Sequence, residues 1–594
     1  MKKKNIYIVT LILGIFITIS SFFISSYGYK DGLFLSYFKE PLVILFNLVP
    51  IYLVLIILAY LFKSLKLSFI ITSIAVNIGA YVNYIKIIYR EEPFYWSDLN
   101  LFGEAFTMAK KYDLNFKSLN FIVLVITIII TFQIAKRLKD ININKNKRYL
   151  RMIVSLIILI SFSIGILFNY NIYHSLGKKT DLNIWVEPDS YQSKGFIYPF
   201  IYSIYSTKPY KYSDYNKKEA EALYNSFIYK NIPEDKKVNV MGIMLESFKD
   251  FSMYQNEKFV FQRDPYEYFH KLQKESIHGN LYVNTFGGGT FITESNFLTG
   301  YKNNPKYNKP VESYVRYFDE QGYDTAAFHP NTGSFYRRKY IYPEMGFENF
   351  YEYDNTFKNI SENLLMDRPF FEFILNKFYE KPKDKDIFYF GVTYENHGPY
   401  SKEPVAPENE FIKWNDSYSR EWYNYFNRYL TGINDTSNSM QYLVDSLRKS
   451  KEPVILIMFG DHSPSMGDNK ILFDMFNIYA DPEKTEGIKN IYMTPYIVWA
   501  NDAAKKVIGK DFVGTGRDLE PAFLMSDIFK YMGWEANQYN QFLQKYTKEV
   551  TVLKNSWFCI DGEYVHKLNK ENKRKIHNYK NMEYYTSHLL DKEQ

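Results

Sequence analysis

The sequence predicts two parts of different class: an α-helical membrane domain with five transmembrane helices, and an outer α/β domain with a mostly parallel central sheet. Three observations carry this. Five long apolar runs crowd into the chain before Asn169. Beyond Lys237, short continuous apolar runs alternate with helical stretches. The residues able to do chemistry fall just after those short runs.

The runs are Ile6–Ser25, Leu42–Phe62, Leu67–Ile88, Leu119–Ala135 and Met152–Phe168. Each approaches the roughly 20 apolar residues that a helix needs to cross a bilayer. The first has no small-residue cleavage site and four more runs follow it, so it reads as an anchor and not a signal peptide. Lys2, Lys3 and Lys4 precede the first run, and Lys63 and Lys66 occupy the second loop. Lys136, Arg137, Lys139, Lys145, Lys147, Arg148 and Arg151 fill the fourth. The first and third loops mix signs: Lys30 and Lys39 face Asp31 and Glu40, and Arg90 is followed by Glu91 and Glu92. This alternation places the N-terminus inside and, after five crossings, everything beyond the last run outside. The third loop, Arg90–Phe102, carries Phe94, Tyr95 and Trp96, which read as headgroup-belt anchors in preference to a lipid-binding vestibule.

At 594 residues the chain exceeds one ordinary domain. The expected divisions are 1–172 for the membrane domain, 173–236 for a juxtamembrane helical linker, 237–545 for the catalytic outer domain, and 546–594 for a charged accessory segment or tail. The net charge of +7 has its basic excess near the membrane runs, so nucleic acid is a poor partner. Cys559 is the only cysteine, so an intramolecular disulfide is excluded and an exported domain must rely on its core. The 56 Tyr and 49 Phe, alongside abundant Lys, Asn and Ile, read as coding bias and not as a binding surface.

In the linker, Gly195–Ser206 is apolar and aromatic and suits a helix lying in the membrane interface. Lys217–Phe227 reads as a second helix. Beyond it, Val238–Leu245, Asp324–Phe328, Ile387–Val392, Val454–Phe459 and Tyr496–Ala500 are continuous apolar runs and read as buried strands. Helices are expected at Pro265–Glu275, Val311–Gln321, Asp367–Tyr379, Arg420–Lys449 and Glu520–Met532. Strands alternating with helices give a parallel sheet covered on both faces. Ligands of such sheets bind beyond the carboxyl ends of the strands. Glu246, His329, His397, Asp461 and His462 all follow strands.

The stretch GGGTFITESNFLTG, Gly287–Gly300, sets Thr290 directly behind three glycines. Without Cβ atoms the backbone can approach a phosphate or metal closely. Glu246 ends one apolar run, and Asp461 and His462 end another. Taken singly, Gly-Asp-His is a turn with a structural histidine, and Glu246 a capping carboxylate. Together, two carboxylates and an imidazole suit Mn²⁺, Zn²⁺ or Mg²⁺ and exclude a thiolate site. A threonine hydroxyl is a poor nucleophile until a divalent cation lowers its pKa. A helix begun by Ile292–Gly300 would add its N-terminal dipole. FHPNTGSFYRRKY brings His329, Tyr336, Arg337 and Arg338 behind a strand; arginine matches phosphate oxygens bidentately, and one of the two reads as a surface residue. YENHGPY sets His397 before a Gly-Pro turn, where it can protonate a leaving alkoxide or hold a polyol hydroxyl.

Five helices followed by GGGT…E…LTG, a strand ending in Glu-Ser, ENHGPY and FGDH resemble the lipoteichoic acid synthase family. These are membrane phosphoglycerol transferases with a sulfatase-like outer domain of the alkaline phosphatase superfamily, and the resemblance covers nearly the whole chain. It implies Mn²⁺ (Mg²⁺ or Zn²⁺ as alternatives) held by Glu246, Thr290, Asp461 and His462, with Thr290 as nucleophile. It implies glycerophosphate recognition by Arg338, His397 and Tyr336; His329, from the same FHPNTGSFYRRKY stretch, is a further substrate-binding candidate. The implied donor is phosphatidylglycerol, and the implied acceptor is a glycolipid-anchored polyglycerolphosphate chain at the cell membrane. The family often carries Lys before the threonine and Trp at the position of Tyr336; this chain has Gly289 and Tyr336. Phosphoethanolamine transfer is the rival reading, disfavoured by the single cysteine. A sulfatase would need Cys or Ser in place of Thr290, and a non-catalytic polymer-binding scaffold would show a lost ligand.

Overall fold

A computed structural model of the chain describes residues 3–90, 93–101, 117–141, 144–180, 182, 187–206, 212, 214–360, 365–467, 470–554 and 557–589. Lys2, Glu91, Glu92 and Phe102, used above for orientation and the third loop, lie outside the described residues. The chain divides into two compact units, Met1–Pro209 with Ser334–Arg337, and Tyr210–Gly333 with Arg338–Gln594.

Among the described residues of the first unit five helices are long and apolar enough to cross a membrane: α1 (Lys3–Ser26), α2 (Pro41–Phe62), α3 (Leu65–Arg90), α4 (Leu119–Arg137) and α5 (Lys145–Phe162). α5 starts earlier than the expected Met152, so Lys145, Lys147, Arg148 and Arg151 lie on the helix and not in the loop. The Asn144 side chain caps it by accepting from Asn146 N, which sets that start. Polar side chains inside the bundle pair across helices, Ser20 with Asn77 at 2.8 Å and Ser73 with Thr131 at 2.8 Å.

The expected aromatic belt in the third loop needs correction at Phe94. Asn83 Oδ1 on α3 accepts from Phe94 N, and Tyr191 donates to Phe94 O; this folds the residue inward, where it stacks on Phe200 at 5.3 Å. Trp96 remains exposed. The helix α6 (Ile197–Ser206) buries Tyr198, Pro199, Tyr202 and Ser203. Tyr198 N donates to Asn47 on α2, and its ring meets Phe46 at 5.2 Å, so one face of α6 is protein-packed.

The second unit centres on an eight-stranded sheet. Its strands are β1 (Asn239–Leu245), β2 (Ile277–Tyr282), β3 (Asp324–Phe328), β4 (Asn349–Tyr351), β5 (Ile387–Val392), β6 (Val454–Gly460), β7 (Met493–Ala500) and β8 (Gly514–Thr515), in the order β4-β3-β5-β1-β6-β7-β2-β8. Five of the strand pairings are parallel; those of β7 with β6 and with β2 are antiparallel. Every residue of β1, β5, β6 and β7 is buried, as continuous apolar strands require. The helices α9 (Asp367–Glu380) and α10 (Arg420–Arg448) pack their Phe370, Ile374, Ile433 and Leu443 with Met241 and Ile243 in one core. The helix α7 (Thr290–Thr299) covers the other face, its Phe297 ring 4.6 Å from Phe459 and 5.7 Å from Phe390. The C-terminal segment forms an antiparallel sheet of β9 (Val550–Lys554), β10 (Trp557–Ile560) and β11 (Glu563–Val565). The final helix, Lys570–Thr586, buries Ile576, Tyr579, Met582 and Tyr585.

Candidate active site and metal centre

Strand register builds the centre. Leu245 at the end of β1 pairs with Gly460 at the end of β6, so Glu246 and Asp461 leave the sheet side by side. β5 is in step with them: Glu246 N donates to Thr393 Oγ1 at 3.0 Å. A tight turn follows β1, with Ser247 at φ 51. Ser247 N donates to Asp461 Oδ1 at 2.8 Å, and Ser247 Oγ to Glu246 Oε1 at 2.9 Å. His462 N also donates to Asp461 Oδ1, at 2.6 Å.

Thr290 arrives from the other side of β6. Gly287, Gly288 and Gly289 have φ of 66°, 147° and 86°, a left-handed run that a residue with Cβ rarely follows. It turns the chain so that α7 begins at Thr290 itself, earlier than the expected Ile292. Thr290 is therefore at the positive end of the helix. Its Oγ1 lies 3.4 Å from Glu246 Oε2 and 3.4 Å from His462 Nε2. His462 Nε2 is 3.2 Å from Asp461 Oδ2 and 3.8 Å from Glu246 Oε1. One ligand atom from each of Glu246, Asp461 and His462 lies within 4.8 Å of the others, and all three residues are buried.

The electrostatics fit a divalent cation. Burial, then the neighbouring Glu246 carboxylate, push Asp461 up to about 7. Burial opposes an imidazolium at His462, but the Asp461 and Glu246 carboxylates outweigh it and raise its pKa. Asp461 Oδ2 accepts no well-formed hydrogen bond among the described residues. Two buried carboxylates around an imidazole, with one oxygen unsatisfied, are a donor set short of positive charge.

The remaining expected residues are placed less uniformly. His329 follows β3, its Nδ1 3.1 Å from Val392 O; burial, then the Arg338 guanidinium, hold its pKa well below the usual imidazole range. His397 is exposed in the loop after β5, stacked on Tyr394 at 4.7 Å, with Nδ1 2.7 Å from Gly398 O. Arg338 opens α8 (Arg338–Met345) and is buried. Its Nε and Nη2 donate to Glu294 Oε2 at 3.0 and 2.8 Å. Tyr336 has a left-handed backbone, φ 56, and its segment groups with the first unit.

Sequence reasoning missed Ser247, Thr293, Glu294, Thr393 and Asn396. Thr293 Oγ1 donates to Asp461 O at 2.7 Å, fastening α7 to the loop of Asp461 and His462. Asn396 Nδ2 donates to Thr436 Oγ1 at 2.9 Å, and Thr436 to Asp367 Oδ2 at 2.6 Å, which anchors the loop carrying His397. The Ser after Glu246 and the Glu within GGGT…E…LTG were visible in the sequence, but their partners lie far away along the chain.

A sheet of this topology, with a threonine at a helix N-terminus facing two carboxylates and a histidine beyond the strand ends, defines a class. The chain belongs to the sulfatase family, whose model matches residues 238–534. It is 24% identical over 519 residues to a Rhizobium meliloti protein named "Putative cyclic beta-1,2-glucan modification protein", covering 82% of this chain and 76% of that one. It is 23% identical over 502 residues to lipoteichoic acid synthase of Staphylococcus saprophyticus, covering 78% and 73%. The resemblance to lipoteichoic acid synthases holds. Among solved structures, Streptococcus pyogenes phosphoglycerol transferase GacH in complex with sn-glycerol-1-phosphate shares the fold, with TM-score 0.51, 18% identity, and coverage of 65% of this chain and 98% of that one.

Proposed function

We propose that the protein is a membrane phosphoglycerol transferase acting through Thr290. The observation that carries this is the convergence of Glu246, Asp461 and His462 on the Thr290 hydroxyl at the start of α7. A divalent cation held by these four residues, Mn²⁺ being the expected ion, would lower the pKa of the hydroxyl and offset charge on the attacked phosphoryl group. Thr290 Oγ attacks the phosphorus of phosphatidylglycerol; the Oγ–P bond forms as the bond from phosphorus to the diacylglycerol oxygen breaks. The helix N-terminus favours the phosphoryl oxygens. Thr290 gives up its proton to solvent as it attacks, and the diacylglycerol oxygen takes one up, with His397 as the expected donor. Arg338, His397 and His329 recognise the glycerophosphate. The terminal hydroxyl of a glycolipid-anchored polyglycerolphosphate chain then attacks phosphorus and releases Thr290.

The five membrane helices suit a donor and acceptor that are both lipid-anchored. The alternation of basic and mixed loops favours a cytoplasmic N-terminus and an extracellular catalytic domain. Full-length Thr290→Ala should release no diacylglycerol from phosphatidylglycerol; release at the wild-type rate would end this reading. A second reading of the acceptor draws on the relative named for glucan modification: the same intermediate would be discharged onto a glucan hydroxyl. Offering the loaded enzyme both acceptors, and following which takes up labelled glycerol phosphate, separates them.

A further inference from the structure

We infer that Glu294 is a positioning residue: its carboxylate fixes the Arg338 guanidinium, so that one helix sets both the nucleophile and the arginine that meets the donor. The inference rests on the function proposed above. Glu294 lies four residues after Thr290 on α7, and that spacing puts the two side chains on one face of the helix, a turn apart. Its Oε2 receives both Nε and Nη2 of Arg338, at 3.0 and 2.8 Å. Two N–H groups on one oxygen fix the plane of the guanidinium as well as its place.

Both partners are out of solvent, with side chains 1% exposed at Arg338 and 0% at Glu294. Burying two charges is costly, and apolar residues of similar volume commonly serve stability as well or better. Stability alone is therefore a weak reason for the pair, whereas its location supplies a functional one. Between Thr290 and Glu294, Thr293 ties the same helix to Asp461 O at 2.7 Å. A single rigid element thus connects a metal-ligand loop, the nucleophile and the arginine. Loss of the carboxylate leaves Thr290 and its ligands in place but frees the guanidinium to turn.

The test uses full-length Glu294→Gln protein, assayed for diacylglycerol release from phosphatidylglycerol and for direct binding of glycerol phosphate. The expected result is a KM for phosphatidylglycerol raised on the order of 10- to 100-fold, with glycerol phosphate binding weakened in proportion. kcat should change little and metal content should equal that of the wild type. Glu294→Gln combined with Arg338→Met is the folding control, because it removes both charges together; it should recover the wild-type Tm but not the wild-type KM. An unchanged KM in Glu294→Gln overturns the inference. So does a lower kcat at wild-type KM that tracks a lower Tm, or a double variant with wild-type KM. A wild-type protein that neither cleaves phosphatidylglycerol nor binds glycerol phosphate overturns the proposed function, and this inference with it.

Discussion

Gly460→Ala tests whether the β1–β6 register builds the metal centre. A Cβ at position 460 would lie 3.0 Å from the Phe248 carbonyl carbon, closer still to its oxygen, and 3.1 Å from Thr494 Cβ. Ordinary nonbonded carbon contacts sit at about 3.5 Å or more, so the crowded chains must part by roughly 1 Å. Thr494 cannot yield freely, because its hydroxyl donates to Gly460 O at 2.8 Å. Glu246 and Asp461 each stand one residue past the Leu245–Gly460 pair, so the displacement reaches them directly. Overpacking of this kind costs about 1–3 kcal/mol of stability, and a 1 Å misplacement at a reacting centre costs on the order of 100-fold in rate. The assay is metal content by inductively coupled plasma mass spectrometry after loading and dialysis, with thermal unfolding and turnover on the same full-length sample. Folded Gly460→Ala should hold less metal and turn over far more slowly. Wild-type metal content and wild-type turnover would refute the register argument.

Other expectations follow from the same geometry. His462→Ala should lose bound metal while keeping its fold, whereas Arg338→Ala should keep the metal and lose glycerol phosphate binding; equal metal loss in both would show Arg338 to be misassigned. Gly432→Ala would drive a Cβ into Asn396 Oδ1 and dislodge the loop carrying His397; turnover should fall about tenfold or more with metal content unchanged, and unaltered turnover would remove Asn396 from the account. His270 gives a pH dependence of stability. Burial opposes its charge, but the hydrogen bonds it donates to Asp250 and Asp264 overcome that and raise its pKa from 6.5 to about 9. Its contribution is therefore complete below pH 6.5 and lost as pH rises through about 9; with its exposure allowed for, this is about 1 kcal/mol. Chemical denaturation across that range should show the loss in the wild type and a flatter profile in His270→Gln; identical profiles would contradict it.

What the sequence made legible follows from what each element has to bury. β1, β5 and β6 are covered on both faces, so their apolar runs stood out, and Glu246 and Asp461 stood at their ends. β2 did not stand out, because Ile277–Asn280 are only partly buried and include His278 and Gly279. β4 and β8 are too short to show a pattern. The start of α7 at Thr290 depends on three consecutive left-handed glycines, and a sequence does not display dihedral angles. The Glu294–Arg338 pair joins residues far apart in the chain, so the arginine read as a free phosphate ligand when it is in fact held by a carboxylate. The last helix is polar along most of its length and anchors through Ile576, Tyr579, Met582 and Tyr585, which is why the segment read as charged.

The most direct test of the central claim is covalent capture. Full-length protein would be supplied separately with phosphatidylglycerol and phosphatidylethanolamine, each labelled in the head group, without acceptor, and its peptides analysed by mass spectrometry. The account predicts label from phosphatidylglycerol on the peptide carrying Thr290, lost on adding acceptor and absent from Thr290→Ala. Diacylglycerol release with no label on that peptide would contradict the threonine mechanism, and label arriving only from phosphatidylethanolamine would contradict the donor.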